Sequence, residues 1–186
     1  MKYESQINSL FNSIDDDYLI DLICEFSRIK SVWDPENGFS ELEAALWIEK
    51  KFKDFGFKTD FYYVTDKRPN VIAELNFVNN LNSENSNIPT LLLEGHTDVV
   101  TEGDSSLWSV DPFSATIKND RIIGRGVNDM KSGLICALYA MKLIKDSNLE
   151  LNGNLICAAL CDEEGEMIGV KAVSYTHLTL PTSDLV

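Results

Sequence analysis

Positive charge is scarce in this sequence, since 16 lysine and arginine residues stand against 30 aspartate and glutamate residues and the formal net charge is -14. Such a chain repels a phosphate backbone and an anionic membrane surface, so we expect no nucleic acid and no membrane among its partners. The amino terminus lacks a signal peptide's basic start and apolar core, and no window is long and apolar enough to cross a bilayer. We therefore expect a cytoplasmic protein.

Cysteine is also scarce. The four cysteines, Cys24, Cys136, Cys157 and Cys161, lie inside apolar stretches without a CxxC pair or a neighbouring histidine. Cys157 and Cys161 are four apart on a predicted strand, which separates them by about 13 Å, too far to bind one metal ion. We expect reduced thiols in the core, which fits a reducing compartment.

The length and composition are those of one globular domain, with 186 residues, 44% hydrophobic and 25% charged. Helical and strand patterns alternate along the chain. This alternation favours a layered α/β domain with a mixed sheet whose early strands are antiparallel.

Apolar periodicity and turn residues predict the individual elements. A helix is predicted from about Asp15 to Arg28. Ser40 and Glu43 have the spacing of a capping box before a second helix, and Gly56 is placed to end that helix in a left-handed conformation. In chain order, the further predictions are antiparallel strands at 57–64 and 70–77, a polar loop at 79–89, a hairpin turning at 119–120, a helix from near 130, and a strand at 153–160 buried on both faces.

Residues that can bind a metal follow two of the predicted strands. His96 and Asp98 end the apolar stretch 90–100, and the acids 162–164 end the later strand. Asp129 lies between them in sequence, after a glycine-rich turn. Ligands collect beyond the carboxyl ends of strands in α/β sheets, so these clusters converge if the two strands are neighbours.

One imidazole and several carboxylates suit a divalent metal, and the mixture of nitrogen and oxygen favours zinc. Asp98 is placed to accept the second ring N–H of His96 and fix its tautomer. Asp129 can bridge two metals about 3.5 to 4 Å apart. Of Glu163 and Glu164, one can bind metal while the other takes the proton from a nucleophilic water.

Each cluster alone has a structural explanation. A single His-x-Asp is more often a hydrogen-bonded pair, and an acidic run is more often a solvated turn. The glycine-rich stretch 124–133 is also compatible with an anion-binding turn in a nucleotide-binding domain, but it lacks the lysine spacing of a phosphate loop. The net negative charge of the chain also disfavours a nucleotide-binding domain.

Taken together, the stretches 91–100, 108–134 and 161–172 resemble one known family in order and spacing. It is the family of dinuclear zinc deacylases and exopeptidases that includes acetylornithine deacetylase, succinyl-diaminopimelate desuccinylase, aminoacylase and glutamate carboxypeptidases. The resemblance covers residues 14–172. It implies a three-layer α/β fold, a mixed β-sheet with helices on both faces, and an enzyme that hydrolyses an N-acyl amino acid or a short peptide.

The same resemblance assigns roles to individual residues. It implies that His96 and Glu164 bind different metals, that Asp129 bridges them, that Asp98 supports His96, and that Glu163 is the general base. The implied cofactor is a pair of Zn²⁺ ions, for which Co²⁺ or Mn²⁺ can substitute, and the full-length form is expected to be a homodimer. A non-catalytic domain that binds a cation or a partner on the same fold is the alternative.

The composition changes after Ala172. Residues 173–186 are rich in hydroxyl and β-branched residues and contain a proline, a composition incompatible with helix, and they resemble a translated sequencing adaptor. We expect residues 1–172 to be the amino-terminal part of the catalytic domain and residues 173–186 to be a non-native tail, with the lid domain and the rest of the catalytic domain absent. His177 and Asp184 are therefore not expected to be ligands, and this fragment is expected to be inactive or nearly so.

Overall fold

The computed structural model describes residues 3–34, 40–76, 89–147, 149 and 151–176, with side chains as far as Val173. The elements within these residues are α1 (Glu4–Asn12), α2 (Asp16–Arg28), α3 (Leu42–Asp54), β1 (Lys58–Thr65), β2 (Arg68–Asn76), β3 (Thr90–His96), a 3₁₀ turn (Ser105–Leu107), β4 (Thr116–Lys118), β5 (Arg121–Ile123), α4 (Ser132–Asp146), β6 (Asn154–Leu160) and α5 (Ile168–Thr176). Apart from Pro89, the predicted loop at 79–89 lies outside the described residues.

The main sheet has the strand order β1-β2-β6-β3 within the described residues. β1 pairs antiparallel with β2, β2 pairs antiparallel with β6, and β3 pairs parallel with β6. The predictions of a mixed sheet and of antiparallel early strands are therefore confirmed. β6 lies between two strands and is mostly buried, as its continuous apolar sequence predicts.

Helices cover both faces of the sheet, so the predicted three-layer arrangement is confirmed. On one face, alternate residues of β6 such as Cys157 and Ala159 pack into the core that α2, α3 and α4 complete. On the other face, Ala158 and Leu160 pack with Val173 of α5. The period-2 alternation of a strand explains why neighbouring residues of β6 belong to different cores.

The start of α2 agrees with the prediction, and α3 begins at Leu42, the first residue of its predicted apolar stretch, but without the predicted capping box. Asp15 caps α2 by accepting a hydrogen bond from the N–H of Tyr18 at 3.0 Å. The predicted capping box of Ser40 and Glu43 is wrong, because the N-cap residue of α3 is Glu41, which makes no side-chain capping bond. Oγ of Ser40 still accepts the N–H of Leu42 at 3.4 Å, and Glu41 is fully buried.

The predicted stop at Gly56 is confirmed. Gly56 has φ +78°, and its N–H donates to the carbonyl of Lys53 at 2.9 Å while the N–H of Phe57 donates to that of Phe52 at 3.0 Å. These two bonds form a Schellman motif. The rings of Phe52 and Phe57 meet edge to face, with centroids 6.0 Å apart.

The predicted hairpin is formed by β4 and β5. Asn119 and Asp120 both have positive φ, 52° and 56°, as a two-residue type I′ turn requires.

The helix predicted from near Met130 begins slightly later, at Ser132, because Asp129 and Met130 have non-helical dihedral angles.

Three further observations differ from the sequence-based expectations. Helix α1 was not predicted. Cys136 is exposed, so the expectation of a core thiol is wrong there, whereas Cys24, Cys157 and Cys161 are buried and unpaired. Helix α5 runs to Thr176, so the expected loss of helix after Ala172 is wrong for residues 173–176; residues 177–186 lie outside the described residues.

No helix found in the described part has the length and apolarity needed to span a bilayer.

Candidate metal centre at the strand ends

The parallel pairing of β3 and β6 brings the predicted clusters together. His96 is the last residue of β3 and pairs in register with Leu160, the last residue of β6. The N–H of Thr97 continues this contact by donating to the carbonyl of Leu160 at 2.8 Å. Gly95 lets the segment before α4 approach, since a Cβ there would lie 2.8 Å from the Met130 side chain. All three clusters thus lie at one edge of the sheet.

The His96 ring is held between acidic residues. Its Nε2 lies 3.2 Å from Oδ1 of Asp129 and 3.7 Å from Oε2 of Glu163. Its Nδ1 lies 2.9 Å from the main-chain carbonyl oxygen of Asp98 and 3.6 Å from the Asp98 carboxylate. The acceptor that orients the His96 ring is therefore the main-chain carbonyl of Asp98. The Asp98 carboxylate lies farther away.

Asp98 uses its carboxylate to hold the turn after β6. Oδ1 accepts the main-chain N–H of Glu163 at 3.1 Å, and Oδ2 accepts that of Glu164 at 2.9 Å. Burial acts to raise the pKa of Asp98, but the nearby His96 ring and the bonds from these two N–H groups hold it below its usual value. Asp98 thus stays ionised and fixes both glutamates relative to His96.

The same carboxylate changes the protonation of His96. Burial acts to lower the pKa of His96, but hydrogen bonding to Asp98 and its negative charge outweigh this and raise the pKa to about 9. The ring is therefore protonated at neutral pH when no cation is present. Since a metal ligand must be a neutral imidazole, a bound cation has to displace this proton.

Glu164 completes the cluster. One ligand atom each from His96, Glu163 and Glu164 lie within 4.8 Å of one another. Burial raises the pKa of Glu164; the charge of His96 lowers it, and those of Asp129 and Glu163 raise it further. Carboxylates crowded in this way repel one another, and a divalent cation removes that repulsion.

The spacing of the donor atoms fits zinc. Two atoms that each lie about 2.0 Å from one tetrahedral zinc are roughly 3.3 Å apart. The 3.2 Å between Nε2 of His96 and Oδ1 of Asp129 is close to this value. One nitrogen with several carboxylate oxygens is also a donor set that zinc accepts.

An open cavity of about 370 Å³ lies over these residues. His96, Asp129 and Glu163 form its polar side, and Met130 and Met167 belong to its apolar side. The side chain of Asp129 is 73% exposed and that of Glu163 is 47% exposed. Both carboxylates are therefore accessible to water and to a small molecule.

Comparison with known proteins agrees with this geometry. Residues 92–180 match the Peptidase family M20/M25/M40. The chain is 36% identical over 118 residues to an N-formyl-4-amino-5-aminomethyl-2-methylpyrimidine deformylase of Bacillus subtilis (strain 168), across 63% of this chain and 26% of that protein. Residues 92–180 of this chain therefore belong to the M20/M25/M40 peptidase family.

Two other members of the M20/M25/M40 family are similar over more of the chain. A probable succinyl-diaminopimelate desuccinylase of Staphylococcus aureus (strain MRSA252) is 31% identical over 135 residues, 73% of this chain and 31% of that protein. The crystal structure of the M20 metallo-carboxypeptidase Sso-CP2 from Sulfolobus solfataricus superposes with a TM-score of 0.66 at 33% identity, covering 81% of this chain and 32% of that one. The chain spans about a quarter to a third of the length of the relatives it matches.

The structure also shows residues near the M20/M25/M40 site that sequence reasoning missed. Asp162 was counted among the acids of this site, but its carboxylate is turned away toward Arg68 of β2. Arg68 in turn lies 3.4 Å from Glu41. Arg68 and Glu41 lie outside the matched residues 92–180. In sequence, Glu41 lies between Ser40 and Glu43 of the predicted capping box, which gave it no other role.

Proposed function

We propose that the protein to which this chain belongs is a zinc-dependent hydrolase that cleaves an amide bond of an N-acyl amino acid or a short peptide. The single observation that carries the proposal is the meeting of His96 with three acids at the strand ends: one side-chain atom each from His96, Glu163 and Glu164 lie within 4.8 Å of one another, and Oδ1 of Asp129 lies 3.2 Å from Nε2 of His96. The names of the relatives support it, since they describe a deformylase, a desuccinylase and a metallo-carboxypeptidase.

In this proposal His96 and Glu164 would each hold one zinc ion, and Asp129 would be shared between the two. When bound, zinc would polarise a carbonyl group and bring the pKa of water to about 7. The main-chain carbonyl of Asp98 keeps Nδ1 of His96 protonated, so that the lone pair of Nε2 faces the acids.

Glu163 serves as the general base. Its carboxylate lies beside His96, is half exposed and faces the cavity, so it can take a proton from water and pass it to the leaving amine. The bond from its N–H to Asp98 fixes its main chain. The base and the neighbouring ligand therefore keep a constant separation during the reaction.

Metal titration tests the division of roles between the two glutamates. Glu164→Gln removes a ligand, so we expect the Zn²⁺ affinity of the purified chain to fall about 10-fold or more. Glu163→Gln removes a base, so the affinity is expected to stay within about threefold of the wild type. Equal losses in both variants would show that Glu163 is a ligand and that the base lies elsewhere.

Hydrolysis is measured with N-acetyl and N-succinyl amino acids and with dipeptides. Any zinc-dependent rate is expected to disappear in Glu163→Gln while the bound zinc remains. A zinc-dependent rate that persists in Glu163→Gln would contradict Glu163 as the base. Zinc as the preferred metal, a homodimer and a cytoplasmic location belong to the same proposal.

A further inference from the structure

The turn that carries Glu163 and Glu164 is organised around Asp162. Asp162 has φ +62°, a conformation that residues with a side chain seldom adopt. Its carboxylate Oδ2 accepts the N–H groups of Glu166 at 3.1 Å and Ile168 at 3.3 Å, and its carbonyl accepts that of Met167 at 2.8 Å. The turn therefore depends on where the Asp162 side chain is held.

Arg68 holds that side chain. Nη1 of Arg68 donates to Oδ1 of Asp162, and both side chains are largely buried. The carbonyl of Arg68 also accepts the thiol of Cys161 at 3.5 Å. The first residue of β2 is thus attached to two consecutive residues at the end of β6.

A second buried carboxylate lies against the same guanidinium group. Oε2 of Glu41 is 3.4 Å from Nε of Arg68, and the Glu41 side chain is 1% exposed. Both Glu41 carboxylate oxygens lack a hydrogen-bond partner among the described residues. Burial raises the pKa of Glu41 to about 7, and the charge of Arg68 opposes that rise. One guanidinium therefore compensates two buried acids.

We propose that Arg68 is a positioning residue for the metal centre, which it orients through Asp162 and the turn at 162–168. This inference rests on the proposed function, because it assigns Arg68 to the same site. Within the part of the chain that the structure describes, Arg68 forms no hydrogen bond or ion pair with His96 or Asp129, so we assign its effect to the turn.

The physical reason is electrostatic. Without Arg68, Glu41 and Asp162 are buried acids that lack a compensating charge, and such groups move toward water or take up a proton. Either change weakens the bonds from Asp162 to Glu166 and Ile168. The Glu163 and Glu164 side chains then lose their fixed position, and a displacement of about 1 Å is enough to impair a metal or catalytic site.

Amide hydrogen exchange tests the first step without any metal. In Arg68→Gln we expect exchange of the Glu166 and Ile168 amides to accelerate about 10-fold, while the amides that pair β2 with β6 keep their wild-type rates. Arg68→Lys restores the charge but not the forked geometry, so partial rescue is expected. Uniform acceleration in both regions would mean a general loss of stability and would overturn the proposal.

Cobalt binding tests the second step. The visible absorption of bound Co²⁺ reports coordination geometry, and we expect it to change in Arg68→Gln together with an affinity loss of about 10- to 100-fold. Lys51→Gln is the control, because it also removes the cation of an ion pair, here with Glu25 at 2.9 Å, but lies far from the turn in sequence. It is expected to leave both readouts unchanged.

A double-mutant cycle decides whether Arg68 acts through Asp162. In an Asp162→Asn background, Arg68→Gln is expected to cause less than about a twofold further loss of Co²⁺ affinity. Additive losses would overturn the proposal. If the wild-type chain binds neither Co²⁺ nor Zn²⁺, the proposed function fails, and the amide exchange result still decides whether Arg68 holds the turn. If Arg68→Gln does not fold, Asp162→Asn alone must give the same local exchange pattern or the proposal fails.

Discussion

Oδ2 of Asp98 accepts a hydrogen bond from the main-chain N–H of Glu164 at 2.9 Å, across 66 positions of sequence. This bond joins the end of β3 to the turn after β6, and a parallel bond to the N–H of Glu163 reinforces it. Asp98 therefore contributes twice, with its carbonyl to His96 and with its carboxylate to the glutamates. Asp98, which follows β3, thus helps to fix the turn that follows β6.

Asp98→Asn tests this double contribution. An amide can accept one of the two N–H groups, but its NH₂ then faces the other, so one bond is lost. We expect the Zn²⁺ affinity to fall about 10- to 100-fold by calorimetric titration. Asp104→Asn is the control, because Asp104 is an exposed aspartate that accepts the N–H of Ser106 in the same way but lies outside the metal cluster. Unchanged affinity in Asp98→Asn would contradict the assigned role.

Zinc binding is expected to release a proton from His96. Because the pKa of His96 is raised to about 9, the metal-free ring carries a proton at neutral pH that a ligating imidazole has to lose. Affinity should therefore rise roughly 10-fold per pH unit between about pH 6 and pH 8. Calorimetry in two buffers of different ionisation enthalpy counts the protons released, with about one expected. A pH-independent affinity would mean that His96 is not a ligand.

The parts of the fold that follow from local pattern could be predicted. The buried strand β6, the stop at Gly56 and the turn at Asn119 and Asp120 each depend on residues close in sequence. The approach of His96 to the acids that follow β6 could also be predicted, because parallel neighbouring strands end at the same edge of a sheet.

The rest depends on contacts that no local rule contains. Arg68 and Asp162 are 94 positions apart, and Asp98 and Glu163 are 65 apart. The capping-box prediction at Ser40 failed because the N-cap residue is Glu41, whose buried carboxylate lies 3.4 Å from Arg68 of β2. A local spacing rule does not contain that tertiary contact.

Gly165→Ala is expected to displace the turn between the two glutamates and Glu166. A Cβ at this position would overlap the Trp33 ring nitrogen and approach Oδ1 of Asp162 to 2.5 Å, so the main chain has to shift. We expect a loss of Zn²⁺ affinity of about 10-fold or more. Gly103→Ala is the control: its Cβ meets nothing within 4 Å, although φ is +70°. It should lower stability slightly and leave the affinity unchanged, whereas equal affinity losses would argue against a specific effect.

The buried carboxyl of Glu41 is expected to make the stability of the folded protein depend on pH. Because burial raises the pKa of Glu41 from 4.5 to about 7, the folded protein binds a proton that the unfolded chain releases between these values. The stability contributed by the protonated carboxyl is therefore fully present below pH 4.5 and is lost as the pH rises through about 7. A shift of this size corresponds to about 3 kcal/mol.

Glu41→Gln removes this loss, since the amide stays neutral at every pH. Urea unfolding should show the variant and the wild type to be about equally stable near pH 5, and the variant more stable by up to about 3 kcal/mol near pH 8. Glu25→Gln, which removes a partly exposed glutamate paired with Lys51, is expected to change stability by less than about 1 kcal/mol at both values. A wild-type advantage for Glu41 at pH 8 would mean that the pairing with Arg68 outweighs burial, and that the ionised form is the one the fold prefers.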